Sequence, residues 1–390
     1  MSGHDREFRL ATRGSALARR QAELVRDRLA GRRRSVELIE VETTGDLSDE
    51  LISELGTTGA FVRDLDRRVL AGDADAAVHS MKDMPTDQAE GLVVAGILER
   101  APAADVLVTS EGTSLEELPA GATVGTASLR RRAQLLARRP DIEVLGLRGN
   151  VDTRVEKLLG PGLAREYDRR LAADRAEEAD TDEEETDTED VETAADGDDG
   201  DDGEFERSPE AWVESLSPIE RRALKRARSE DDTDRTEYDA VCLAEAGLAR
   251  SDLLKKLACE RLDPTAFVPA PAQGAIAVTA PDGETAELIH DAIDHPPTRV
   301  AVTVERTILS EIGGGCVAPV GIHARLRGAV VSTTVRVLSR DGTEQIRASR
   351  DLPVEDHARA ATSFGAELVD RGAAELVAAA RREEPDEPKR

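Results

Sequence analysis

The stretch GGGCVAPVG, residues 313–321, places Cys316 behind three glycines. Glycines strip side-chain cover from a thiol and permit unusual backbone angles. On the residues alone two readings stay open: a cysteine that happens to sit in a flexible loop, or an exposed thiol available for covalent modification. No histidine is placed to act as its base, which argues against a protease-like role. Cys242, within Ala-Val-Cys-Leu-Ala, reads as a small buried hydrophobe, and Cys259, in LLKKLACERL, as a half-buried residue on a helix. A second constellation is HSMKDMP, residues 79–85. It follows an apolar run read as a buried strand at 75–78, so Lys82 and Asp83 fall at the carboxyl edge of a sheet, where ligands gather in open α/β folds. A neighbouring lysine favours the charged form of Asp83 and burial opposes it. Such a carboxylate can move a proton or hold a developing cation; a solvated turn before Pro85 is the plainer alternative.

The arginines add a ligand. Arg130 and Arg131 follow the N-cap residue Ser128 in the first turn of a helix, where the macrodipole disfavours cations. Backbone N–H groups and guanidinium forks converging there suit carboxylates or phosphates. Arg13, near the N-cap residue Ser15, repeats the arrangement, and Arg148 and Arg154 in LRGNVDTR bracket a Gly-Asn turn after a strand. Any one of these is a plausible solvated surface residue. Five at equivalent strand ends point to a small polyanion bound between two lobes. With neither a Walker loop nor a GxGxxG fingerprint, the anion reads as carboxylate-rich.

These residues need elements to position them. Residues 7–44 read strand, helix, strand; a helix follows from Phe61, then a turn at Gly72-Asp73 and the buried strand before HSMKDMP. ATVGTASLRRRAQLLARRPDIEVLGLRGN repeats strand, N-cap serine, helix, strand, which suggests two similar α/β lobes. EYDAVCLAEAGLAR is a further buried strand and turn. From about Val300 the pattern mixes: a helix through ERTILSEIG, strands at GIHARLRG and VVSTTVRVLS, and a C-terminal helix FGAELVDRGAAELVAAAR, together a small third domain.

At 390 residues, more than one core is expected, and with aromatics at only 2% those cores must be filled by Ala, Val and Leu. The net charge of −28 is concentrated at 174–206, where 19 acidic residues face one arginine. That low-complexity run cannot bury apolar surface and is expected to be disordered, while SPEAWVESLSPIERRALKRARSE after it, with the chain's one tryptophan, Trp212, reads as a short helical patch. Six lysines among 52 basic residues on so acidic a chain suit a halophilic cytoplasm. The acidity disfavours nucleic acid as a partner. No apolar run of membrane-spanning length or leader type is found, so no membrane partner and a cytoplasmic location are expected. Three scattered cysteines suit a reducing compartment, and neither they nor the six histidines have metal-ligand spacing, so no metal is expected.

Taken in order, ATRGSALARRQAE, VHSMKDMP, GTASLRRRAQL, LRGNVDTR, YDAVCLAEAGL, PAPAQGAIAV and GGGCVAPVGIHA resemble the porphobilinogen deaminase (hydroxymethylbilane synthase) family, across nearly the whole chain outside 160–235. The resemblance implies an α/β fold of two similar periplasmic-binding-protein-like lobes plus a small α+β C-terminal domain. It divides the chain as lobe 1 at 1–99 and 274–292, lobe 2 at 100–273 with an acidic disordered insertion at about 160–235, and a C-terminal domain at 296–390 carrying the cofactor cysteine. It implies a transferase that joins four porphobilinogen units head to tail onto a covalent dipyrromethane primer, releasing ammonia and hydroxymethylbilane, in a monomer. Cys316 would hold the cofactor by a thioether, with Lys82, Ser128, Arg130 and Arg131 around it. Asp83 would be the catalytic acid, assisting loss of the amine, stabilising the azafulvenium cation and aiding deprotonation at the coupling carbon. Arg13, Ser15, Arg148, Arg154 and Arg250 match carboxylate-binding positions for the substrate. Two departures stand out: Thr58 replaces a lysine common in the family's glycine-rich segment, and roughly 75 residues intervene between Lys157-Leu158 and Tyr238-Asp239. The competing reading is a two-lobed organic-anion binding protein without catalysis; an acidic interaction protein rests only on 174–206.

Overall fold

The computed structural model describes residues 7–30, 35–41, 60–87, 89–184, 208–229, 236–315 and 318–382. Thr58 and Cys316 lie outside them. Where short β-branched and Ala-rich apolar runs alternate with amphipathic Arg/Ala/Leu segments, parallel βα units form. Strand β1 (Phe8–Arg13), helix α1 (Ala16–Leu29), strand β2 (Val36–Val41), helix α2 (Ala60–Leu70) and strand β3 (Ala76–Ser80) follow one another, with β1 parallel to both β2 and β3. Ser15 caps α1 by accepting from the Ala18 amide at 3.3 Å, and the helix buries Ala22, Val25 and Leu29 on the sheet. Strand β4 (Leu92–Ile97) then leads into a second unit: β5 (Asp105–Thr109), β6 (Thr123–Gly125), α3 (Leu129–Arg138) and β7 (Glu143–Leu145). Helices α4 (Val151–Glu184), α5 (Pro209–Ser215) and α6 (Pro218–Ala227) come next, then β8 (Ala240–Ala244), α7 (Glu245–Arg250), β9 (Cys259–Arg261), β10 (Ile276–Pro281), α8 (Glu284–Ile293) and α9 (Pro296–Glu311).

The two five-stranded sheets share one plan. Their orders are β2-β1-β3-β10-β4 and β7-β6-β8-β5-β9, and in each the fourth strand runs antiparallel to its neighbours. That fourth strand enters each sheet after a crossover from the other half: β5 follows β4, and β10 follows β9. The similarity of two α/β lobes read from the sequence is therefore present in the sheets. The chain ends in a three-stranded antiparallel sheet, β11 (Val320–Arg327), β12 (Val330–Leu338) and β13 (Gln345–Pro353), covered by α9, α10 (His357–Asp370) and α11 (Ala373–Arg382).

Three readings need correction. Cys259 lies on a strand, opposite Val108 of β5, because edge pairing outweighs the helical look of LLKKLACERL. Strand β13 has no counterpart in the sequence pattern, since its outward residues are polar and its apolar alternation is weak. The C-terminal helix is two helices, broken at Gly372, whose φ of +93° no helix accommodates.

By internal contacts the chain forms two compact units, Met1–Val151 with Ala240–Arg390, and Asp152–Asp239. In the second, the expected disorder from about 160 gives way to helix as far as Glu184, and helices recur at 209–227; the acidic core at 185–207 lies outside the described residues. Ala, Arg, Glu and Leu in 162–178 favour helix, and Glu166 pairs with Arg169 and Arg170 one turn on. Tertiary packing completes it. Buried Glu156 takes Arg222 and Arg226 at 2.9 Å each, Gly160 lies against Ala223, and Tyr167 packs on Trp212 at 6.5 Å between centroids.

Helix α9 binds the first unit together. Its Glu305, 0% exposed, receives both terminal nitrogens of Arg100 at 2.7 and 3.0 Å, the Ala272 amide at 2.6 Å and the Ala324 amide at 2.7 Å. Arg100 and Ala272 lie on the two crossover segments, which also meet directly where the Ala101 amide donates to the Gly274 carbonyl at 3.2 Å. A Cβ on Gly274 would stand 2.5 Å from the Ala101 oxygen, so the crossing requires glycine. Ala272 adopts φ +58°, a conformation disfavoured for alanine that its bond to Glu305 helps hold. Burial pushes the Glu305 carboxyl up, but Arg100 and His323 more than offset this and hold it below its ordinary 4.5. A depressed carboxyl adds stability above its unfolded value and loses it as pH falls through the folded one. Urea unfolding of Glu305→Ala should show a loss of about 3–5 kcal/mol at neutral pH, from the stranded Arg100. Part of this difference should fade below about pH 4.5, and equal midpoints at pH 7 would refute the assignment.

Candidate active site

Asp83 stands on a single 3₁₀ turn, Met81–Asp83, directly after β3. Local sequence alone holds such a turn weakly. Its support comes from below: Met81 and Met84 are buried in a cluster with Val62, Ala272, Ala275 and Val302, and the Met81 amide donates to the Ala275 carbonyl at 3.0 Å. Asp83 itself is exposed and Lys82 half-buried, at the carboxyl end of the strand as read from the sequence. The strand is held by a buried network in which His79 Nε2 contacts Asp66 Oδ1 at 3.1 Å and Thr279 Oγ1 at 3.0 Å.

Ser128 caps α3, accepting from the Arg131 amide at 3.4 Å, and the two arginines after it point inward. Both are buried against Asp105, which is 0% exposed at the start of β5. Arg131 Nε donates to Asp105 Oδ1 at 2.9 Å, and an Arg130 terminal nitrogen pairs with Oδ2 at 2.7 Å. Arg130 also donates to the Val268 carbonyl at 2.8 Å and lies over the Phe267 ring. Gln273, from the second crossover, donates to Asp105 Oδ1 at 2.9 Å. Burial pushes the Asp105 carboxyl up, but the two guanidiniums more than offset it and hold it below its ordinary value. Burial lowers Arg131, while Asp105, Cys242 and Asp83 together raise it further, so its net shift is upward; burial leaves Arg130 lowered.

Among the described residues, two buried guanidiniums against one carboxylate leave a net positive charge, and the buried Arg130 Nε has no hydrogen-bond acceptor. That arrangement suits a further carboxylate, so the donor set fits a group carrying several acid side chains. The remaining residues surround it unevenly. Arg13 ends β1 and is half-buried; Ser15 begins α1; Arg148 is exposed, beside Gly149 at φ +110°. Arg250, at the end of α7, donates to the Gly274 carbonyl at 2.7 Å, and burial lowers it to about 10. Arg154 lies in the first turn of α4, in the second compact unit, and the geometry of the first unit does not include it. Asp105, Gln273, Glu305 and Arg100 went unassigned on sequence. The signals were an acid opening a wholly buried run, DVLVT, and a Gln-Gly pair between apolar stretches.

Of the cysteines, burial raises Cys242 to about 12, and burial with Glu245 raises half-buried Cys259. Neither is an activated thiol. The glycines before Cys316 have structural work of their own: Gly313 ends α9 at φ +66°, and a Cβ on Gly314 would meet Leu309 at 2.4 Å. Among the described residues no group of three His, Cys, Asp or Glu is arranged to hold a metal. Native protein treated with iodoacetamide at pH 8 should leave Cys242 unmodified until denaturant is added, as read by peptide mass. Labelling of Cys242 in the folded state at the rate of a free thiol would contradict this environment.

The profile described as "Porphobilinogen deaminase, dipyromethane cofactor binding domain" matches residues 8–176 and 221–288, and "Porphobilinogen deaminase, C-terminal domain" matches 300–370. A Halobacterium salinarum protein named "Probable porphobilinogen deaminase" is 50% identical, covering 97% of this chain and 99% of its own. "Porphobilinogen deaminase" of Desulforudis audaxviator is 34% identical over 96% and 98%, and that of Thermobifida fusca 34% over 95% and 95%. A solved methionine-binding protein, MetQ, covers 74% of this chain and 90% of its own at 11% identity, with a TM-score of 0.34. Both profiles, the full-length relatives and an arginine cluster with charge to spare for a carboxylate lead to one conclusion: the chain belongs to the porphobilinogen deaminase family.

Proposed function

We propose that this hydroxymethylbilane synthase, which joins four porphobilinogen units head to tail and releases ammonia and hydroxymethylbilane, uses Asp83 as its catalytic carboxylate. The observation that carries the assignment is the position of Asp83: exposed on a turn anchored from beneath, at a strand's carboxyl end. When bound, the dipyrromethane cofactor supplies the pyrrole carbon to which the first unit couples. Cys316 is the thiol that holds it by a thioether. Lys82, Ser128, Arg130 and Arg131 receive its acetate and propionate groups, with the net charge left by Asp105 favouring one more carboxylate. Arg13, Ser15, Arg148 and Arg250 orient the acid side chains of incoming porphobilinogen; Arg154 is proposed on its motif alone. Asp83 holds the proton that leaves with ammonia and then opposes the positive charge left on the substrate. By holding the cofactor's carboxylates, Lys82, Ser128, Arg130 and Arg131 would present its coupling carbon toward Asp83, which is catalysis by positioning.

The lobes are proposed to span 1–99 with 274–292, and 100–273, with the C-terminal domain at 296–390. A net charge of −28, scarce lysine and a Halobacterium relative support a protein adapted to high salt. No helix among the described residues is long and apolar enough to cross a membrane. A cytoplasmic monomer without a nucleic-acid partner completes the reading. The alternative of an organic-anion carrier gains no support from the family.

Intact mass under denaturing conditions should exceed the polypeptide by two porphobilinogen units less two molecules of ammonia, and Cys316→Ser should remove the increment. An active protein of unmodified mass would falsify the cofactor attachment. Asp83→Asn should keep both fold and increment while turnover falls roughly 10²–10⁴-fold. Near-normal rates would remove Asp83 from the mechanism.

A further inference from the structure

The turn bearing Asp83 has little to hold it locally. Ser80 provides no side-chain cap, the 3₁₀ segment is three residues long, and Met84 after it is already extended at φ −79°, ψ 133°. Two buried methionines fix its floor, and the chain leaving it, Met84-Pro85, is tied by a side chain from a distant element. Arg306 of α9 donates through one terminal nitrogen to the Met84 carbonyl at 3.0 Å and through the other to the Pro85 carbonyl at 2.5 Å. Its neighbours on α9 are committed elsewhere in the same assembly: Glu305 gathers the two crossover segments, and Val302 packs against Met81 and Met84. Five residues past Arg306 the helix ends and runs into the glycine loop.

We infer that Arg306 is a positioning residue for Asp83, a planar guanidinium fork that spans two successive carbonyls and so fixes the exposed carboxylate without covering it. The fork matters because an ammonium is a point donor and cannot hold both carbonyls in one geometry. A misplacement of about 1 Å at a reacting group can cost about 10²-fold in rate. The inference rests on the proposal that Asp83 is the catalytic carboxylate.

The test uses the cofactor-loaded enzyme. Arg306→Gln should lower kcat about 10²-fold, with KM unchanged within about twofold and the cofactor mass increment intact. Arg306→Lys, which keeps the charge and one donor, should recover part of the loss and serves where the Gln variant folds poorly. In an Asp83→Asn background, measured by single turnover, Arg306→Gln should add less than about threefold, because its effect passes through Asp83. Unchanged kcat in Arg306→Gln, a rise in KM alone, or an equal loss in both backgrounds would each overturn the inference. If Asp83→Asn alone kept normal turnover, the catalytic reading would fall; if it were inactive while Arg306→Gln stayed normal, the positioning role alone would fall.

Discussion

A carboxylate sealed away from water must be surrounded by donors or it unfolds the region around it, and Glu305 is such a group. Four hydrogen bonds reach it from three segments far apart in sequence: the fork of Arg100, the amide of Ala272 and the amide of Ala324. Losing any partner strands charge in a dry interior, so the segments stay together. Those of Arg100 and Ala272 are the strands of chain that pass between the lobes. The lobes, the crossover and the C-terminal sheet therefore share one electrostatic anchor, and the helix that carries it also braces the Asp83 turn.

Asp105 is the second buried acid, but its balance differs. Glu305 faces Arg100 and sits beside His323, whereas Asp105 opposes two guanidiniums and leaves a surplus. In the proposed function that surplus receives another carboxylate, while the aspartate keeps the guanidiniums oriented, a preorganisation that loose surface arginines lack. Gln273 donates to Asp105 through its side chain and accepts from Arg100 through its carbonyl, so the two clusters are adjacent links of one network.

Much of the site was legible in the chain because its signals are local. Ser15 and Ser128 were identifiable as caps from the helical patterns they precede, and both accept the expected amides. Asp83 was placed at a strand's carboxyl end by the apolar run before it. The inward orientation of Arg130 and Arg131 was not legible, since a cation in a first helical turn looks solvent-facing until its buried counter-ion, 25 residues upstream, is known. Cys259 and β13 failed for a related reason: strand pairing is decided by a neighbour distant in sequence, and weakly apolar segments carry little sign of it. In the second unit, composition foretold disorder where helix persists through 160–184, because the packing of Glu156 and Gly160 is invisible to composition.

The sequence by itself determined the alternation of strands and helices, the caps, the residue types that could bind a polycarboxylate and the identity of the candidate acid. These depend on neighbours within a few positions, where backbone propensity and side-chain spacing dominate. Only the tertiary structure decided which charges are buried together. It paired Asp105 with two arginines, gave Glu305 its donors, and showed that Gly313 and Gly314 in GGGCVAPVG answer to the end of α9 and to Leu309. The physical reason is that burial energy depends on who lies across the gap, and that partner is chosen by the fold rather than by adjacency along the chain.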